Sequence, residues 1–219
     1  MARMARIVIP HYPHHVTQRG NRRQKTFFSD ADYRAYIGLL ANAKIEANVD
    51  VWAYCLMPNH VHLVVVPGEK DSLSALFRDA HRRYTRRINF REGWRGHLWQ
   101  ERFYSFVMDE RHLLATVRYT ELNPMRAGLC SRPDGWPWSS VHAHLRGEDD
   151  ALVAVAPMLS RISDWETYLA VRESRARLDI IRMHARTGRP VGDDVFVKRM
   201  EYLTGRRLRK QKPGRKASK

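Results

Sequence analysis

His60 and His62 stand in Asn59-His60-Val61-His62-Leu63-Val64-Val65-Val66, directly after a Pro58-Asn59 turn. Extended backbone points side chains two residues apart to the same side, so the imidazoles share one face while Val61, Leu63 and Val65 fill the other. Two imidazoles on a common face make half of a metal site. A histidine-triad hydrolase would need a further histidine where this chain has Val64, so that chemistry is excluded. A second group is Tyr119-Thr120-Glu121-Leu122-Asn123-Pro124-Met125-Arg126-Ala127-Gly128. On the helix predicted after Asp109, Leu113, Leu114, Val117 and the stem of Glu121 form an apolar stripe. At about 100° per residue, Tyr119 and Asn123 fall roughly opposite it, beside His112 and Thr116. Tyr119 is therefore not an obvious core residue, and Asn123, one turn on, addresses the same small volume. Pro124 pulls the other way, because a residue before proline tends to leave the helical region. Asn123 equally reads as the cap of a short turn closed by Gly128. Tyr33, Tyr36, Tyr84, Tyr104 and Tyr168 are read as packing.

The elements that must position these groups follow from periodicity. His14 to Arg19 reads as a strand, and the polar turn from Gly20 to Lys25 follows it. Arg19, Asn21 and Arg22 there are candidates for gripping phosphate or bases. His11, His14 and His15 are read as structural or DNA-facing, since adjacent residues of a strand point oppositely. Ser29 with Asp32 starts the first helix, along which Tyr33, Tyr36, Ile37, Leu40 and Ala47 recur at helical spacing. Val49 to Leu56 and the histidine strand form a hairpin. A second helix, from about Ser72 to Asn89, buries Leu73, Leu76, Phe77, Ala80, Tyr84 and Ile88. Its other face carries Arg78, Arg82, Arg83, Arg86 and Arg87, a guanidinium stripe for solvent or phosphate. Arg102 to Val107 is the fourth strand. This order predicts an α+β fold, a ferredoxin-like split βαβ antiparallel sheet with helices on one face.

Residues 1–145 are assigned to this domain and 146–219 to a helical extension, with helices near 164–169, 173–185 and 193–203. The extension ends in a basic, flexible tail. After Glu201 there is no acid, and Arg206, Arg207, Arg209 and Lys210 lead a run suited to nucleic-acid backbone. The 219 residues include 39 Lys and Arg against 23 Asp and Glu, a net charge of +16. That excess makes nucleic acid the first partner to consider. No apolar run approaches the roughly 18 residues of a membrane span. Cys55 and Cys130 have no ligand-like spacing, which points to a reducing cytoplasm, with nucleoid association following from the charge.

Three segments taken together, Asn59-His60-Val61-His62, the Tyr119 to Gly128 stretch and His15-Val16-Thr17-Gln18-Arg19-Gly20-Asn21, resemble the IS200-like single-tyrosine transposases, and more closely the REP-associated tyrosine transposases. The likeness covers roughly residues 10–145. It implies that His60 and His62 ligate Mg²⁺ or Mn²⁺, that Asn123 is the third protein ligand, and that Tyr119 is the nucleophile. The implied activity is single-stranded DNA cleavage at palindromic hairpin repeats through a 5′-phosphotyrosine, followed by strand transfer. Arg19, Asn21, Arg22 and the stripe from Arg82 to Arg87 would hold the DNA. A monomer is favoured over a homodimer, since the extension can cover a dimerisation surface. The competing reading is a non-catalytic DNA- or RNA-binding module with structural histidines.

Overall fold

A turn of only two residues, Pro58 and Asn59, joins strands β2 (Val49–Met57) and β3 (His60–Pro67). In the computed structural model, which describes residues 5–209, this hairpin lies beside β1 (His14–Arg19), and β1 pairs on its far side with β4 (Tyr104–Val107). The sheet order is β2-β3-β1-β4 with every neighbouring pair antiparallel, as the split βαβ pattern predicts. Because β1 is central, it is buried on both faces.

Helices α1 (Asp30–Glu46) and α2 (Ser72–Glu92) pack on one face. There Val16, Val61, Leu63 and Val65 meet Tyr36, Leu40, Leu73, Leu76, Phe77 and Tyr84. Each fully buried aliphatic or aromatic side chain of this cluster contributes roughly 1.5–3 kcal/mol. Ser29 and Asp32 form the capping box expected at the start of α1. The buried Asp32 carboxylate also accepts from Arg91 at 2.6 and 3.1 Å. That pair explains why α2 runs past Asn89: the last turn is tied to α1, and only Gly93, at φ 66°, ends the helix.

The opposite face is covered as well. Helix α3 (Glu110–Glu121) lies on it, followed by the single turn α4 (Asn123–Arg126), then α5 (Val141–Arg146), α6 (Ala156–Leu159), α7 (Trp165–Ala170), α8 (Arg175–Thr187) and α9 (Asp194–Thr204). Val64 and Phe106 of the sheet join Leu113 and Val117 of α3, Trp165 and Tyr168 of α7, and Ile181 of α8 in a second cluster. Both sheet edges are closed by backbone. Leu56 and Ala154 donate to Trp138 and Val51 carbonyls beside β2, at 2.8 and 2.9 Å, and Val191 donates to the Val107 carbonyl beside β4 at 2.9 Å.

The tail departs from expectation over its described part. Leu208 is buried, and the Leu208 and Arg209 amides both donate to the Glu201 carboxylate, at 2.7 and 3.2 Å. Arg206 donates to the Ala5 and Arg6 carbonyls, and Arg209 pairs with Asp194. These arginines are occupied by the chain itself because one apolar residue, Leu208, anchors the segment; Arg207 is exposed. Lys210 lies outside the described residues. Among the described residues no helix is long and apolar enough to cross a membrane.

Candidate active site

β3 begins at His60, so the alternation that buries Val61, Leu63 and Val65 under α1 and α2 turns His60 and His62 toward the opposite face. Their ring centroids are 4.9 Å apart at 74°. The Asn59 amide oxygen accepts from His60 Nδ1 at 2.7 Å, while the Asn59 amide nitrogen donates to the Arg23 carbonyl at 3.0 Å. With Nδ1 carrying the proton, His60 keeps a lone pair on Nε2. Gly20 makes this turn compact: its N–H donates to the Asn59 carbonyl at 2.8 Å, and a Cβ there would sit 2.4 Å from the Gln24 carbonyl oxygen.

His62 has a partner that sequence reasoning did not assign. His15 Nε2 lies 3.0 Å from His62 Nδ1, with the rings stacked at 5.2 Å and 13°. In the antiparallel register Thr17 is opposite His62, which brings His15 to its diagonal. One proton lies between the two rings. When His62 Nδ1 donates it, His62 Nε2 is free as a ligand and His15 Nδ1 carries a hydrogen; that atom is buried and has no partner. Burial holds these imidazoles neutral. It pushes His15 down to about 3 and, helped by the Arg19 charge, His60 down to about 4. Burial, then the neighbouring His60, His15, Arg126 and Arg19, holds His62 well below the usual range.

α3 delivers Tyr119 to this face. Its ring centroid is 5.7 Å from that of His62 and 6.1 Å from that of His15. Three guanidinium groups attend it. Arg126 sits 4.3 Å from the Tyr119 ring centroid and donates to the Tyr119 carbonyl. Arg182 of α8 and Arg19 line the same cleft as Tyr119. Burial lowers the pKa of Arg19 and Arg126, and the charge of a Tyr119 phenolate would oppose that shift in both. The cleft encloses about 790 Å³ and is lined by Thr17, Arg19, His60, His62, Tyr104, Tyr119, Asp179, Arg182 and Arg186, among others. Tyr104, read from sequence as packing, is therefore a wall of the site. Tyr36 and Tyr84 are buried, with hydroxyls bonded to His81 and the Thr26 carbonyl at 2.9 and 2.7 Å, as packing residues should be.

Asn123 opens α4 and does not line the cleft. α3 ends at Glu121 with Leu122 as its cap, Asn123 and Pro124 open the following turn, and Gly128, at φ 70°, follows its end, so the Asn123 side chain caps neither helix. Its carbonyl accepts from the Ala127 amide at 3.0 Å, while its side-chain amide makes no hydrogen bond among the described residues. No group of three or more His, Cys, Asp or Glu among the described residues has metal-binding spacing. Asn21 and Arg22 form a 3-10 turn close to the cleft rim, where Arg22 takes φ 52°. Arg82, Arg83, Arg86 and Arg87 are exposed on α2, which packs on the other sheet face, and Arg82 and Arg83 both pair with Asp79. The structure thus gathers His60, His62, Tyr119 and Arg19 but not the α2 stripe. Among the residues that sequence missed, Arg126 and His15 lie inside segments already singled out. Arg182 had no local signal.

A family model described as transposase, IS200 like, matches residues 9–123. A Haemophilus influenzae protein named as a REP-associated tyrosine transposase is 25% identical over 107 residues, covering 44% of this chain and 61% of that protein. The match thus spans about three fifths of that relative's length. A solved structure of a REP-associated tyrosine transposase bound to a REP hairpin shares the fold, with a TM-score of 0.59 at 21% identity over 70% of this chain and 92% of that one. A crystal structure described as a transposase from Deinococcus radiodurans R1 aligns with a TM-score of 0.40 at 17% identity, over 54% of this chain and 95% of that one.

Proposed function

The chain belongs to the IS200-like transposase family, and from that premise we propose that it is a metal-dependent single-stranded DNA endonuclease and strand transferase acting on palindromic hairpin repeats through a 5′-phosphotyrosine. The observation that carries this reading is the juxtaposition of Tyr119 with the His60 and His62 pair across one cleft, 5.7 Å between the Tyr119 and His62 ring centroids. A binding module has no need of that pairing.

The donor set fits a divalent ion. Two neutral imidazoles, one oriented by Asn59 and the other by His15, supply nitrogen ligands. Asn123 stands outside the cleft lining, so its proposed part as the chain's oxygen ligand requires its otherwise unengaged amide to turn toward the histidines when the ion binds. When bound, Mg²⁺ or Mn²⁺ would offset the phosphodiester's negative charge and stabilise the charge of the transition state. The chain's own residues do the rest. Tyr119 oxygen bonds to phosphorus, the bond from phosphorus to the 3′-oxygen breaks, and the phenolic proton is in net transferred to the leaving 3′-hydroxyl. Because the ester is conserved, another strand's 3′-hydroxyl can displace Tyr119 and rejoin DNA. Arg19, beside the histidines, and Asn21 and Arg22 on the adjoining turn are the proposed contacts for the strand.

Incubation with a single-stranded hairpin and Mn²⁺ is expected to give a covalent protein–DNA adduct that survives denaturation. Tyr119→Phe should abolish it, and His60→Ala should lose it while keeping most hairpin binding, since phosphate contacts elsewhere supply most affinity. An undiminished adduct in Tyr119→Phe would sink the mechanism. Equal loss of cleavage and binding in His60→Ala would make the histidines structural.

A further inference from the structure

We propose that Arg182, carried by the extension, is a catalytic residue of the tyrosine cleft: it stands in the cleft that Tyr119 lines and binds a non-bridging oxygen of the scissile phosphate in the complex. The inference rests on the phosphoryl-transfer reading above.

Arg182 stands in the middle of α8, which is capped by Ser174 and ended by Gly188. Asp179, Arg182 and Arg186 follow one another at helical spacings of three and four, so they share a face, and that face lines the cleft opposite the histidines. Asp179 Oδ1 accepts from Arg182 Nη1 at 3.1 Å, which orients the guanidinium. The planar fork has donors to spare, and it shares the cleft with Tyr119. The side chain is 49% exposed, so incoming DNA can meet it.

The other two cations are differently engaged. Arg126 is committed to the Tyr119 ring face and carbonyl, and Arg19 lies opposite His60 in the strand register. Arg182 is therefore a half-exposed guanidinium of the Tyr119 cleft, oriented by Asp179 and with donors left for a phosphate. A phosphate oxygen is a stronger acceptor than a neutral phenol oxygen, because charge-assisted hydrogen bonds are roughly twice as strong. Arrival of the scissile phosphate would draw the guanidinium onto it, in the cleft where the Tyr119 oxygen attacks. In that step the Tyr119 oxygen bonds to phosphorus, the bond to the 3′-oxygen breaks, the proton ends on the 3′-hydroxyl, and Arg182 stays protonated throughout. Its contribution is charge stabilisation where negative charge accumulates.

The test compares the full-length parent, Arg182→Ala, Arg182→Gln and Arg182→Lys on a hairpin with unpaired flanks in Mn²⁺, reading adduct rate and hairpin affinity separately. Alanine suits an exposed helix position, so α8 should persist. We expect Arg182→Ala and Arg182→Gln to slow the adduct by about 10²-fold with affinity little changed, Arg182→Lys to keep part of the rate, and added guanidinium ion to restore part of it in Arg182→Ala but none in Tyr119→Phe. Parent-like rates in Arg182→Ala, or loss of rate and affinity together, would overturn the role of Arg182 while leaving tyrosine transfer intact. A parent that forms no adduct would overturn both.

Discussion

His14, His15 and His81 are buried imidazoles whose neutrality is an energetic commitment of the fold. Burial pushes His14 down to about 4, although the Tyr12 carbonyl partly opposes the shift, and pushes His15 and His81 down to about 3. In the unfolded chain each titrates near 6.5. Below that pH the unfolded state binds more protons than the folded one, so stability is lost as pH falls from about 6.5 toward the folded values. For His14 alone the loss is on the order of 3 kcal/mol. Thermal melts should therefore hold steady above pH 7 and fall steeply between pH 6.5 and 4. His81→Gln, which keeps a partner for the Tyr36 hydroxyl, should flatten that slope; a melting temperature unchanged from pH 7 to 4 would refute the account. Sequence placed His60 and His62 on one face from period alone. It read His15 as structural or DNA-facing without its partner, because the diagonal that pairs it with His62 belongs to the β1–β3 register, which no local pattern encodes.

At the scale of the element, α3 is the helix whose position the site depends on. The sequence predicts one apolar stripe, yet α3 buries Leu113, Ala115, Thr116, Val117, Arg118, Thr120 and Glu121, because the extension covers the side that the sheet does not. Its last turn is fixed by Glu121, a fully buried carboxylate that accepts from Ser140 Oγ and His144 Nδ1 at 2.6 Å each and from Trp165 Nε1 at 2.9 Å. Arg118, one helical turn from Glu121, pairs with Glu173 and donates to the Tyr168 carbonyl at 2.7 Å. Glu121→Ala would strand the buried His144 and Trp165 donors, leaving Ser140 only the Tyr54 carbonyl, and should cost about 3–5 kcal/mol, read as a drop in the urea midpoint. Glu121→Gln keeps an acceptor and should lose less. Equal and small losses in both would show that the network does not hold the helix. The stem of Glu121 was legible as part of the stripe, but its carboxylate's partners lie 19, 23 and 44 residues away in the chain.

For the whole molecule, the covered edges decide how copies can meet. A free edge strand invites another strand. Here segments around Trp138 and Ala154 bond β2, and Val191 bonds β4, so the described sheet has no long open edge. We expect a monomer by light scattering at micromolar concentration, with one chain supplying the whole cleft. A stable dimer would mean that a surface other than the sheet edges associates. The charge is also divided: Arg19, Arg126, Arg182 and Arg186 gather around Tyr119, while the α2 stripe lies across the sheet.

Local patterns alone determined the split βαβ order, the shared face of His60 and His62, the exposure of Tyr119 from the apolar stripe, and the basic character, because periodicity, turn residues and charge are properties of contiguous segments. Tertiary structure decided which residues complete the site. His15 comes from the central strand, Arg126 from the turn after α3, and Arg182 from a helix 63 positions beyond Tyr119. Only the packing of the extension on the second face of the sheet brings that arginine to the tyrosine, and packing between distant segments leaves no period in the chain.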